Sequence, residues 1–342
     1  MSLKRTCGVD LGSDTIKIID KKERQYLCEK NMIAVRKKTK VVARGQKAWE
    51  IFEKAPADVC AGSPVKDGAL AEGRNQELIL VYLVKKFATF FTKHPNLYVT
   101  APSDVSQVEK RAYVKILGGA SLRAKHVWMV EKGIADAAGL GMPMDDPSGN
   151  MIVNLGGGHT EISVISDGKV ILNRVLRLGG QKLDANIISM VRHQYQLHIG
   201  TKTAEELKIH LASIGQVPGK VQKVYGIHAV TGLPKAEEIS ALSVSVSVIE
   251  TIDQITEAVH AMLERTPPQL LADIQKAGIY LTGGVSQLPG LASYMEKELE
   301  VPVYTVQDPV SCGVRGLARI MNDSALRKSL CFSLKEFAGN TI

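Results

Sequence analysis

Three segments of the chain place glycine directly after an apolar strand: VDLGSDT (Val9–Thr15), VNLGGGHTE (Val153–Glu161) and LTGGVSQLPG (Leu281–Gly290). Glycine loses more conformational freedom on folding than any other residue and brings no side-chain packing in return. Backbone N–H groups in such turns form anion-binding nests, and a helix N-terminus adds favourable potential for phosphate. A run such as GGG taken alone is equally a sharp turn. All three in this order favour a phosphate-sized site over three unrelated turns.

The rest of the chain repeats around them. DDPSGN, residues 145–150, is a cluster of turn formers that separates a first half from a second one with the same outline of strand, glycine turn, strand and later helices. The spacing predicts helices over QKAWEIFEKA, over Asn75–Phe91, and over SQVEKRAYVKILGGA with Ser103 or Ser106 as its start. In the second half, LDANIISMVRHQYQLHIG reads as a helix ending on Gly200, and TAEELKIHLASIG as one capped by Thr203. The alternating ISALSVSVSVI reads as a strand, TIDQITEAVHAMLER as a helix, and DPVSCGVRGLARIM as a last helix.

Bulk properties exclude several classes. A chain of 342 residues, 45% apolar, is longer than one core usually supports and fits about two domains. No apolar run approaches the roughly 18–20 residues that span a bilayer, and the start MSLKRTCGVD leaves no room for a signal peptide. Five cysteines without C-x-x-C spacing point to reduced thiols in a cytoplasmic chain. The net charge of +8 permits attraction to an anionic surface. Clusters such as KKERQ and RKKTK read as solvated faces, and no motif supports specific nucleic-acid recognition.

On these turns, the sequence resembles the actin, heat-shock ATPase and sugar kinase superfamily, an α/β, ribonuclease H-like fold. Within it, the chain is similar to the bacterial rod-shape-determining MreB family. SPVKDGALAE, VEKRAYVKILGGA, RLGGQKLDANII, TAEELKIH, VTGLPK and DPVSCGVRG carry the likeness beyond the turns. It implies two duplicated domains around a nucleotide cleft, each with a smaller subdomain. These are residues 1–145 with an insertion near 30–75, and 146–322 with one near 183–255, followed by a tail over 323–342.

The resemblance also implies ATP or ADP with Mg2+ as cofactors. Asp10, with Asn154 at the matching place in the second turn, would organise the metal. Ser13, Asp14 and Thr15 would wrap the terminal phosphates, joined by Gly157, Gly158, His159 and Thr160. Glu205, Glu206, Leu207 and Lys208 match the ribose and base side; Glu205 and Lys208 share a helix face and are otherwise an ordinary surface pair. Gly284, Val285, Ser286 and Gln287 match the adenine-side turn.

Three positions depart from the family pattern. Asn154 stands where the family has an aspartate, and His159 where it has a small hydroxyl residue. The family has two acids there, the second of which positions or activates the attacking water; Lys132, in WMVEKGIADAAGLG, stands at that second place, while Glu131 keeps the first. A protonated lysine is no base, and nearby anions hold it protonated. Lys132 is instead expected to pair with Asp14 or to contact the γ-phosphate. Binding and turnover can be lost separately, because phosphoryl transfer rests on positioning and electrostatics. The expectation is nucleotide binding with slow or absent hydrolysis. A one-position shift around Glu131 would restore a competent ATPase, and loss of binding would leave a structural unit.

The resemblance further implies a cytoplasmic, membrane-associated filament subunit in cell shape determination, working with itself or an active paralogue, the inner membrane face and the cell-wall elongation machinery. Phe90 and Phe91, in FATFFTKHPN, either insert into that membrane or pack within the small domain. A plasmid-positioning filament and a small-molecule kinase are the alternatives on the same fold.

Overall fold

The computed structural model describes residues 6–37, 39–66, 69–87, 94–119 and 121–339. Within these residues two sheets repeat one pattern. In the first, Tyr26–Lys30, Thr15–Asp20 and Thr6–Leu11 run antiparallel in that order, followed by Asn96–Ala101 and His126–Glu131 in parallel. In the second, Lys169–Leu176, Thr160–Ser166 and Asn150–Leu155 run antiparallel, followed by Ile279–Thr282 and Val303–Thr305 in parallel. Identical order and direction in both halves make this the duplicated α/β fold of actin and its relatives.

Each half has its own core. Val9, Ile16, Ile18, Leu80 and Leu97 are fully buried in the first, and Val153, Leu155, Ile162, Ile187 and Leu281 in the second. A third cluster joins the halves, with Ile19, Tyr98, Val130 and Ile134 packed among Ile152, Val314, Leu317 and Ile320. It is organised by two helices, Lys132–Leu140 and Cys312–Asn322, that cross at backbone contact. Gly316 makes this crossing possible: a Cβ there would overlap the Ala135 carbonyl oxygen. The crossing helps to position Lys132, the first residue of its helix, directly after the strand His126–Glu131.

Several local expectations change. ALSVSVSVI is the start of a single helix, Ala241–Arg265, capped by Ser240, whose hydroxyl accepts from Ser243 N at 3.1 Å. A period of two contains every i, i+4 pair, so the buried row Val244, Val248, Ile252 is hidden inside the apparent alternation. Val246, which a strand would bury with its neighbours, faces solvent. The helix expected to run to Gly200 stops at Tyr195, and Leu197–His198 pairs as a short strand with Ile227 and His228. The following helix begins at Thr201 with Gly200 rather than Thr203 at its cap. Ser106, not Ser103, caps Gln107–Leu117 through a reciprocal bond with Glu109.

The end of the chain returns to the first half. Phe332–Ser333 pairs with Trp128 and Met129 at the edge of the first sheet, and Phe337 is buried in that half's core. Among the described residues, no helix is long and apolar enough to cross a membrane. Phe90 and Phe91 lie outside the described residues.

Candidate functional site

The two hairpin turns face each other across a cavity of about 530 Å³. On the first hairpin, Asp10 and Lys17 are register partners, so both project from the same face toward the cavity. Asp10 is buried, accepts from Thr100 Oγ1 at 2.7 Å, and lies 3.6 Å from Lys17 Nζ and 3.8 Å from Lys132 Nζ. Burial pushes its pKa up, but Lys132, Lys17 and the Thr100 bond outweigh that and hold it below the ordinary carboxylate value.

The second hairpin presses its glycines against the first. A Cβ on Gly157 would come within 2.7 Å of Asp14 Cβ, so only glycine fits there. His159 Nδ1 lies 3.4 Å from Ser13 Oγ. Burial and then Lys132 lower the His159 pKa, leaving a neutral ring that brings no charge to the phosphate end.

Behind the turns lies a polar network. Asn154 Nδ2 donates to Asp136 Oδ2 at 2.8 Å and to Thr282 Oγ1 at 2.9 Å. A carboxylate can only accept, which fixes the amide's orientation. Lys132 Nζ donates to Asp136 Oδ1 at 2.8 Å. Burial works against the Lys132 charge, but Asp10 and Asp136 more than offset it and raise the pKa above its usual value. Lys132 keeps its charge and lines the cavity.

The remaining charges pair around the cavity. Lys30 bridges the halves, donating to Asp14 Oδ1 and to Glu205 Oε1, each at 2.9 Å. Lys208 donates to Asp184 Oδ1 at 2.7 Å and to the Gly180 carbonyl at 3.2 Å. Asp184 is nevertheless pushed up to about 6 by burial, which Lys208 only partly opposes. Gly283, at φ +83°, turns the chain into the short 3-10 segment Gly284–Gln287. Gly284, Val285 and Gln287 close the cavity there.

Asp10, Ser13, Asp14, Thr15, Lys132, Asn154, Gly157, His159, Glu205 and Lys208 thus meet around one cavity with the third glycine turn. Other candidates stand behind its wall. Thr160 is buried and donates to the Leu178 carbonyl, Ser286 donates to the Gly283 carbonyl, and Leu207 is core. Glu206 faces solvent. Gly158 is buried outside the cavity lining, as is the half-buried Glu131, whose pKa burial raises against the pull of Lys110. Asp14 pairs with Lys30, not with Lys132.

Sequence reasoning missed Lys17, Lys30, Asp136 and Asp184. The signal for Lys17 was present: a lone lysine inside the apolar strand TIKIID is buried only if an acid meets it. Asp136 also stood four residues after Lys132 on one helix.

These residues do not fit a Mg2+ ion coordinated directly by Asp10. Mg2+ needs oxygen ligands in near-octahedral arrangement. Asp10 is already held between two ammoniums, Asn154 is uncharged, and the amide nitrogen is committed to Asp136. An ion bound directly to Asp10 Oδ2 would lie within about 6 Å of both lysines, each repelling it by roughly 5 kcal/mol at an effective dielectric of about 20.

Comparison with known proteins agrees with this architecture. The family profile described as MreB/Mbl protein matches residues 4–329. The cell shape-determining protein Mbl of Bacillus subtilis (strain 168) is 32% identical over 323 residues, 93% of this chain and 96% of the relative. The cell shape-determining protein MreB of Escherichia coli (strain K12) is 32% identical over 319 residues, 90% and 91% of the two chains. Among solved structures, MreB5 of Spiroplasma citri bound to ADP superposes with a TM-score of 0.88 at 25% identity, covering 96% of this chain and 99% of that one. The same protein bound to AMPPNP gives 0.86 at 25% identity, with 96% and 98% coverage. The MamK double helical filament shares the fold at a TM-score of 0.78 and 20% identity, with 93% and 99% coverage. On its matched sequence and its duplicated sheets, the chain belongs to the MreB/Mbl family.

Proposed function

We propose that this chain is an actin-like filament subunit in cell shape determination that holds an adenine nucleotide between its two halves and hydrolyses it slowly or not at all. The observation that carries the reading is the apposition of two glycine hairpin turns across a cavity of about 530 Å³, with a third glycine turn at its far wall. Such turns bind phosphate through backbone N–H groups, which substitutions at 132 and 154 leave in place. Relatives solved with ADP and with AMPPNP support the nucleotide.

Slow turnover follows from the charges around the phosphate turns. An ammonium stands where a base would be needed, His159 is neutral but next to Ser13, and Glu131 does not line the cavity. Self-association is supported by the filament neighbour and by exposed apolar side chains on the hairpin Val221–His228 and Pro234–Ser240, where Val221, Tyr225 and Ile227 point outward. Head-to-tail stacking is a heterologous contact that does not close, so it propagates. Association with the inner membrane, the wall-synthesis machinery or an active paralogue extends this reading.

The test is ATP binding, phosphate release and sedimentation on the same purified chain. Binding with filament formation and negligible release supports the reading. Brisk turnover removes the claim of slow hydrolysis. Absence of binding and of assembly removes the function itself.

A further inference from the structure

We propose that Lys132 and Lys17 take the place of the divalent cation, so that this chain binds a nucleoside triphosphate without Mg2+. The proposal rests on the nucleotide reading above and adds to it the charge that the phosphates meet. Both ammoniums line the cavity beside the phosphate turns, and both are tethered near Asp10, at 3.6 and 3.8 Å.

Their carboxylate partners can spare them. Asp10 keeps the Thr100 hydroxyl at 2.7 Å, and Asp136 keeps Asn154 at 2.8 Å and Thr282 at 3.2 Å. Each acid therefore retains a neutral donor when its lysine turns toward phosphate oxygens. Asn154 matters for this arrangement: an aspartate there would face Asp136 at hydrogen-bonding distance and demand a cation between them. The lysine head is also seated by backbone. A Cβ on Gly313 would fall 2.3 Å from Lys132 Nζ and 2.8 Å from Asp136 Oδ1, so a glycine leaves the room that the ammonium occupies.

The experiment titrates ATP into the full chain by calorimetry, once with excess MgCl2 and once with EDTA. The expected result is a dissociation constant that changes by less than about tenfold between the two conditions. Lys132→Gln should weaken binding in EDTA by about tenfold or more, and more than it does in Mg2+. Gly313→Ala should act in the same direction while leaving every charge in place. Melting curves check that both variants fold; should either fail, the comparison on the unmodified chain decides alone. Tight binding in Mg2+ that weakens more than about tenfold in EDTA overturns the inference and leaves the nucleotide reading intact. No binding in either condition overturns both.

Discussion

Asn154 donates its amide hydrogen to Asp136 at 2.8 Å behind the hairpin turns, while Lys132 donates to the other oxygen of the same carboxylate at 2.8 Å. Asn154→Asp replaces a donor by a second acid. Two carboxylates at this distance cannot both ionise cheaply, so one of them takes up a proton and the folded pKa of the pair rises. Stability is then kept at low pH, where one protonated acid can still donate, and lost as pH rises through the raised value. We expect a loss of about 1–3 kcal/mol at pH 8 and much less at pH 5, measured by urea unfolding. An equal loss at both pH values would show that charge at this contact is not the cause.

Glu161 gives a second pH-dependent term. It is fully buried, its Oε1 accepts from Ser103 N at 3.1 Å, and its Oε2 has no hydrogen-bond partner. Burial pushes its pKa up to about 7 from 4.5, against the opposing pull of the Ser103 backbone bond. Between these values the folded chain holds a proton that the unfolded chain has released, so stability falls as pH rises through the window and levels off above about 7. The span corresponds to roughly 3 kcal/mol. Glu161→Gln should therefore stabilise the chain at pH 8 and leave it unchanged near pH 4. A variant equally stable to the parent at pH 8 would place the charge in a better-solvated site than the geometry allows.

What was legible in the sequence was what is local. The glycine turns, the Asp10 strand and the repeat of strand–turn–strand units follow from short spacings, and the resemblance extended them to a whole fold. What was not legible depends on partners far apart in the chain. Lys30 gains meaning only beside Asp14 and Glu205, and Asp184 only beside Lys208. The alternating ALSVSVSVI was misread because its buried row at four-residue spacing satisfies a strand pattern equally well, and tertiary burial decided it. The short strand Phe332–Ser333 owes its existence to the open edge at Trp128 and Met129, which no local signal announces.

Lys30 spans the cleft, and its removal should be felt in nucleotide kinetics. It is the shared donor of Asp14, from the first half, and Glu205, from the second. Lys30→Ala leaves two part-buried carboxylates facing each other across the opening, at a cost of about 1–3 kcal/mol to the closed form. Nucleotide dissociation should quicken by roughly tenfold, read by stopped-flow release of a fluorescent analogue. Adding Glu205→Gln removes one of the repelling charges and should recover part of the loss. Unchanged release in the single variant would mean that this bridge does not hold the cleft shut.

The hairpin Val221–His228 and Pro234–Ser240 separates assembly from nucleotide binding. Tyr225 is 73% exposed and Ile227 54%, with Ala236 and Pro234 as their cross-strand neighbours, so this end of the face is apolar and open, while Lys223 and Glu238 are register partners on the other side of Tyr225. Contiguous exposed apolar surface on a β-hairpin marks a contact site rather than a core. Tyr225→Glu places a charge at its centre, where an assembled copy would have to desolvate it. Because the ring is open to solvent and its neighbour is the Lys223 ammonium, 5.8 Å away, which a glutamate can also meet, the effect on folding should stay within about 0.5 kcal/mol. We expect the critical concentration for sedimentation to rise about tenfold or more, with ATP affinity unchanged. Assembly at the parent concentration would clear this face of a role in the filament, whereas a parallel loss of ATP affinity would show that the hairpin and the cleft are coupled through the second half of the molecule.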